Sequence, residues 1–146
     1  MDAVNGERGQ ALVIAAVLIG IGALAIVGLR VVQERVLANA VAQDAGEAAV
    51  EAAAAAVADA YVAHLDAVRA HVFDTPRPTV NVVALLSDPA TREAARAAAA
   101  DAAMRNGATF DGAVQSRCTG ATIEIELRHA GRLHRAALQA DACSPP

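Results

Sequence analysis

The stretch ALVIAAVLIGIGALAIVGL, residues 11–29, decides how the rest of the chain is read. Its nineteen residues carry no charge and no strongly polar side chain. As a helix rising about 1.5 Å per residue it spans roughly 28 Å, close to the ~30 Å hydrocarbon core of a bilayer. Branched aliphatic residues fall on every face, among them Leu12, Ile14, Val17, Leu18, Ile19, Ile21, Leu24, Ile26 and Val27. A helix apolar all round belongs either in a membrane or in the centre of a large protein. With 146 residues there is too little chain to wrap it. Gly20, Gly22 and Gly28 would weaken a soluble helix, whereas membrane helices tolerate glycine. The expectation is a transmembrane helix over 11–29, preceded by a short cytoplasmic segment, 1–10.

A cleaved signal peptide is the rival reading, because Ala23-Leu24-Ala25 has the small-x-small form of a cleavage site. Ile26 and Val27 continue the apolar run past that point, and Asp2 and Glu7 offset Arg8 ahead of it. Charge orients the span weakly. Arg8 and the amine stand on one side and Arg30 and Arg35 on the other, a count slightly against an external C-terminal part. The cysteines discussed below outweigh it.

Outward from the span, composition limits the function classes. Forty residues are Ala, all twelve basic residues are Arg, and the formal net charge is −4. Ala forms helix readily but buries little apolar area, so one small domain is the most this chain supports beyond its apolar run. A large catalytic domain with a deep pocket is excluded. A net acidic chain with dispersed arginines and three aromatic residues offers little to nucleic acid.

Residues 30–74 predict a long helix with no Pro and a single Gly, Gly46. Val36, Val50, Val57, Tyr61, Leu65, Val68 and Val72 form a thin stripe fit to meet another helix or the chain's own C-terminal part. Asp44, Glu47 and Glu51 make a solvated face. Asp74-Thr75-Pro76-Arg77-Pro78 ends the helix. Residues 75–146 then form a small domain. Thr79–Leu86 is β-branched and apolar and predicts a strand. Ser87 or Asp88 caps a second helix over 90–106, with Pro89 in its first turn and Asn106-Gly107 as its stop.

Thr122–Arg128 alternates apolar and polar, placing Ile123, Ile125 and Leu127 on one strand face. A two-residue turn at Ala130-Gly131 pairs positions whose numbers sum to a constant. Glu126 then faces Arg135, Ile123 faces Leu138 and Ile125 faces Ala136. The same register sets Cys118 opposite Cys143, unless a bulge at Gly120 shifts it. These are the only cysteines, and a Cys118–Cys143 disulfide is expected, which places the C-terminal part in an oxidising compartment. The fold class is therefore α+β: a transmembrane helix running into a long Ala-rich helix, then a small domain with a disulfide-linked β-hairpin.

Glu7-Arg8-Gly9-Gln10-Ala11-Leu12-Val13 abuts the apolar run, followed by Leu37-Ala38-Asn39-Ala40, Asp44-Ala45-Gly46-Glu47-Ala48-Ala49 and an alanine tract. Residues 6–56 resemble the N-terminal segment of TadE/TadG-like proteins of the tight-adherence (Flp) pilus system. The resemblance implies a single-pass bacterial membrane protein with a cytoplasmic N-terminus and an extracytoplasmic remainder. It also implies a structural or assembly role, with pilus or secretion subunits as partners through the transmembrane and long helices. Gly9 and Gln10 flank a possible processing point. Processed pilins usually carry Glu at the fifth position after the cleaved Gly. Here that position is Ile14 counted from Gly9, or Ala11 counted from Gly6, which favours a membrane-retained assembly factor.

Enzyme readings find little in the residues. His64 and His71 are two helical turns apart, His129 and His134 flank the hairpin turn, and His134 falls on its apolar face as a structural residue. Ser87, Ser116 and Ser144 lie in no nucleophile-elbow motif, and no phosphate-binding loop occurs. Glu124 and Glu126 share an exposed strand face. No cofactor, metal, nucleic acid or small-molecule substrate is expected. The alternative function is a surface-displayed or secreted binding module released by signal peptidase.

Overall fold

A computed structural model describes residues 3–74, 76 and 79–143, with side chains from residue 13 onward. The elements in chain order are α1 (Ala3–Ala70), α2 (Val82–Ser87), α3 (Pro89–Arg105), β1 (Val114–Thr119), β2 (Thr122–His129) and β3 (Arg132–Gln139). A 3₁₀ turn, Asp141–Cys143, closes the described chain. The fold is α+β and falls into two units, Met1–Asn39 and Ala40–Pro146.

The first unit is helical, and its large aliphatic side chains from Val13 to Leu29 are each more than half exposed. Its most apolar stretch is not buried. The helix is long and apolar enough to cross a membrane. Val36, expected in the packing stripe, lies here and is exposed.

The second unit is built on an antiparallel sheet of order β1-β2-β3. Ile123, Ile125 and Leu127 project from one face of β2, the first two with no exposed surface. Burying each such side chain stabilises the fold by about 2 kcal/mol. Against that face pack Ala45, Ala49, Val50, Ala53 and Val57 of α1, Val82 and Leu86 of α2, and Ala95, Ala99 and Ala103 of α3. Val50 and Val57 were expected in this contact. The alanines between them complete it, because small side chains let a helix backbone approach a sheet closely.

Thr79–Leu86 is not a strand. From Val82 it is helical as α2, with Asn81 as its cap: the Asn81 Oδ1 accepts from the Ala84 N–H at 2.9 Å. Val82 and Leu86, four apart, are buried together, and Val83 faces solvent. One helical turn buries two large residues on one side, and the side-chain cap removes the backbone's need for a strand partner. Asp88 caps α3 by accepting from the Thr91 N–H at 2.9 Å. Asn106 ends that helix, and Gly107 leaves it with φ +77°. Of the expected helix-stopping run after α1, Thr75, Arg77 and Pro78 lie outside the described residues.

The β2–β3 hairpin has the expected register, pairing Glu126 with Arg135, Ile123 with Leu138 and Ile125 with Ala136. Ala130 and Gly131 both take positive φ, 49° and 77°, as a two-residue turn matched to strand twist requires. Cys118, however, is not across this hairpin from Cys143. The chain reverses at Gly120-Ala121, so Cys118 lies on a separate strand, β1, paired with Ile123. Gly120 serves that turn, with φ +59°, and not a bulge.

Candidate functional site

The two faces of the sheet carry different chemistry, and alternation along the strands assigns each residue to one of them. On the inner face three rows run across the strands: Cys118, Ile123 and Leu138; Ser116, Ile125 and Ala136; Val114, Leu127 and His134. On the outer face Arg117 lies across from Glu124, and Gln115, Glu126 and Arg135 form the next row.

A disulfide joins Cys118 and Cys143, whose Cα atoms are 5.3 Å apart. Past β3, the Ala140 N–H donates to the Ala121 carbonyl at 2.8 Å, and the Cys143 N–H donates to the Ala140 carbonyl at 2.8 Å. These two bonds turn the chain end back over the β1–β2 turn. The 3₁₀ turn, and not a cross-strand pair, thus delivers Cys143 to the strand that holds Cys118.

The outer face is tied by an ionic ladder. Arg117 donates to Glu124 at 2.9 Å and to Glu126 at 3.1 Å, and Arg135 pairs with Glu126 at 2.7 Å. Glu126 was expected to be exposed. Its side chain retains only 12% exposure, because guanidinium groups from both neighbouring strands close over it. The hydrogen bond that Arg117 donates to Glu124, followed by the charges of Glu126 and Glu124, raises the proton affinity of Arg117. Beside the ladder lies a hollow of about 450 Å³ lined by Gly112, Gln115, Arg128, Leu133 and Arg135. On the other side of β3 a second hollow, of about 500 Å³, is bounded by Glu47, Val50 and Glu51 of α1 and by Leu133, His134 and Arg135.

His134 lies on the inner face of β3 near the hairpin turn, only 8% exposed. Its ring rests on the backbone of α1 at Gly46: a Cβ there would meet Cδ2 at 2.8 Å, with Cε1 and Nε2 closer still. Among the described residues, nothing bonds the buried Nε2. Burial holds the imidazole below its ordinary pKa; the carboxylate of Glu47 opposes this, while His129 and Arg132 add to it. At the hairpin turn Arg132 donates to the Gln43 side chain at 2.7 Å. The apolar face thus holds His134, as its place in the alternation implied. Its seat on Gly46 has no local signal beyond a lone glycine in an alanine-rich helix.

The remaining histidines stay apart. The His64 Nε2 accepts from the Asn81 N–H at 3.3 Å, and His71 pairs with Asp74 at 2.9 Å. Among the described residues, no three His, Cys, Asp or Glu side chains gather as a metal site. Gly9 and Gln10 fall within α1, where side chains lie outside the described residues, as does Ser144. No protein-family model, curated protein sequence or solved structure matches the chain.

Proposed function

We propose that this chain is a membrane-anchored, TadE/TadG-like structural or assembly component of a Tad/Flp-type pilus or secretion system, with a non-enzymatic role. The observation that carries the anchor is the helix through Val13–Leu29, whose aliphatic side chains are solvent-exposed on every face. Exposing so much contiguous apolar surface to water is unfavourable, and a bilayer removes the penalty. The run Arg8-Gly9-Gln10-Ala11-Leu12-Val13 entering that helix supports the family assignment.

In this reading the N-terminus is cytoplasmic and the sheet domain extracytoplasmic, where the Cys118–Cys143 bond persists. Partner subunits engage the anchor and the exposed faces of α1. The domain is a small, cross-linked body tethered by the anchor, suited to docking and not to chemistry.

Two measurements test this. Fractionation with intact-mass analysis is expected to give an uncleaved chain in the membrane fraction, two hydrogens lighter than the reduced form. A product starting at Gln10 would indicate pilin-type processing, and a soluble one starting at Ile26 would sink the anchor in favour of a released binding module. Deletion in the native host should abolish piliation, with recovery on complementation. Normal piliation in the deletion strain would exclude the assembly role.

A further inference from the structure

We propose that His134 is a pH-sensitive latch that holds the turn end of β3 on α1 at near-neutral pH and releases it in mildly acidic medium. This inference concerns the second unit alone and does not depend on the pilus reading.

The geometry is that of a group tolerated in one protonation state only. The imidazole is more than nine-tenths buried, and Gly46 removes the one side chain that would obstruct it. Its Nε2 presses on the α1 backbone, and no acceptor among the described residues reaches it. A neutral ring can leave one nitrogen unbonded at a moderate penalty. An imidazolium has an N–H at both nitrogens and a full charge, so the same seat buries a charged donor without a partner. The ring must leave the seat to be solvated.

Charged groups around the seat do not rescue the cation in place. From α1, Glu47 favours protonation and lines the same hollow as His134, but its carboxylate accepts from the Gln43 amide at 3.0 Å and not from the buried Nε2, and Glu51 lines that hollow one turn further on. From the hairpin, Arg132 and His129 oppose protonation, and Arg135 adds positive charge at the rim of the same hollow. β3 is an edge strand, and among the described residues β2 is its one strand partner, so no third strand resists its movement. Once His134 is out, the exposed Arg132–Gln43 hydrogen bond remains as a polar tie to the helix.

The pH direction follows from the burial. Burial holds the folded imidazole below the ordinary value of about 6.5 that it has in the unfolded chain, so the unfolded chain binds the extra proton first. The latch is intact above that value and weakens as pH falls below it.

The test is hydrogen–deuterium exchange of the full chain in detergent micelles at about pH 7.5 and about pH 5, corrected for intrinsic rates. Amides of β3 and of α1 around Gly46 should lose protection about tenfold at the lower pH while those of α3 keep theirs. The variant H134L should remove this difference, and H129Q should retain it. Equal protection at both pH values, or a uniform loss across the whole domain, would overturn the latch. A readout on the wild-type chain, independent of how H134L folds, is the NMR titration of the His134 ring. Its midpoint should lie below the ordinary histidine value and coincide with a shift of the Gly46 amide. An ordinary midpoint with a silent Gly46 amide would also overturn it.

Discussion

The imidazole of His134 occupies the space that a side chain on residue 46 would fill, so Gly46 and His134 are complementary halves of one contact between α1 and β3. Glycine inside a helix costs about 1 kcal/mol relative to alanine. Surrounded by alanines at positions 45, 48 and 49, it persists here for the room it leaves.

The substitution Gly46→Ala therefore destabilises the domain despite its better helix propensity. Overpacking of this kind costs about 1–3 kcal/mol. In a chain that also carries His134→Ala the obstruction is gone, and Gly46→Ala should become stabilising by up to about 1 kcal/mol. Chemical denaturation of the four chains as a double-mutant cycle reads the coupling directly. Strict additivity would show that the two residues do not meet.

Cleaving the disulfide should cost more than any single surface change. Cys118 and Cys143 are 25 residues apart, and cross-linking a loop of that size stabilises by about 3 kcal/mol through the unfolded chain. The comparison is the denaturation midpoint of the Cys118→Ser, Cys143→Ser double variant with that of the oxidised chain. An unchanged midpoint would mean that the bond constrains nothing.

At the hairpin turn, Ala130 holds φ at +49°, a region that Asn adopts far more readily. Ala130→Asn creates an Asn-Gly turn of the type the register demands and should stabilise the domain by about 1 kcal/mol. Thermal melting followed by circular dichroism decides this, since a lower midpoint for the variant contradicts the turn geometry.

Two ion-pair carboxylates should respond differently to removal. Glu126 accepts from Arg117 and pairs with Arg135 while nearly covered, so Glu126→Ala should cost about 1 kcal/mol. Glu93 pairs with Arg96 on the open face of α3, where the hydrogen bond lowers its pKa, yet water and salt screen the pair. Glu93→Ala should leave the midpoint unmoved. Equal effects from the two variants would show that the ladder on the sheet is no tighter than an ordinary surface pair.

Elements governed by short-range chemistry were legible in the residues themselves. The apolar run 11–29, a cap at Ser87 or Asp88, the Asn106-Gly107 stop and the β2–β3 register each follow from neighbours within a few positions. Cys118 was paired with the right partner through a different geometry. Extending β2 upstream put the cysteine on the wrong strand, whereas Gly120-Ala121 begins a new one. The alternation Val114, Ser116, Cys118 against Gln115, Arg117, Thr119 was the signal for β1. It is weak because only one of the three inward residues is strongly apolar.

Thr79–Leu86 marks where local preference gives way to context. β-branched residues favour a strand, yet Asn81 caps a helical turn and the core accepts Val82 and Leu86 from the same side. Intrinsic strand preference amounts to about 1 kcal/mol, less than the burial of two such side chains. The alanine stripe of α1 and the seat of His134 are also products of tertiary packing. Small side chains carry no directional pattern, so nothing in Ala45, Gly46, Ala49 and Ala53 names the partner they admit. By itself the sequence determined one apolar helix, a capped helix and a hairpin register, all through contacts a few residues apart. Only the tertiary structure decided which strand holds Cys118, why α2 is helical and what Gly46 makes room for, because those outcomes depend on surfaces from distant parts of the chain meeting.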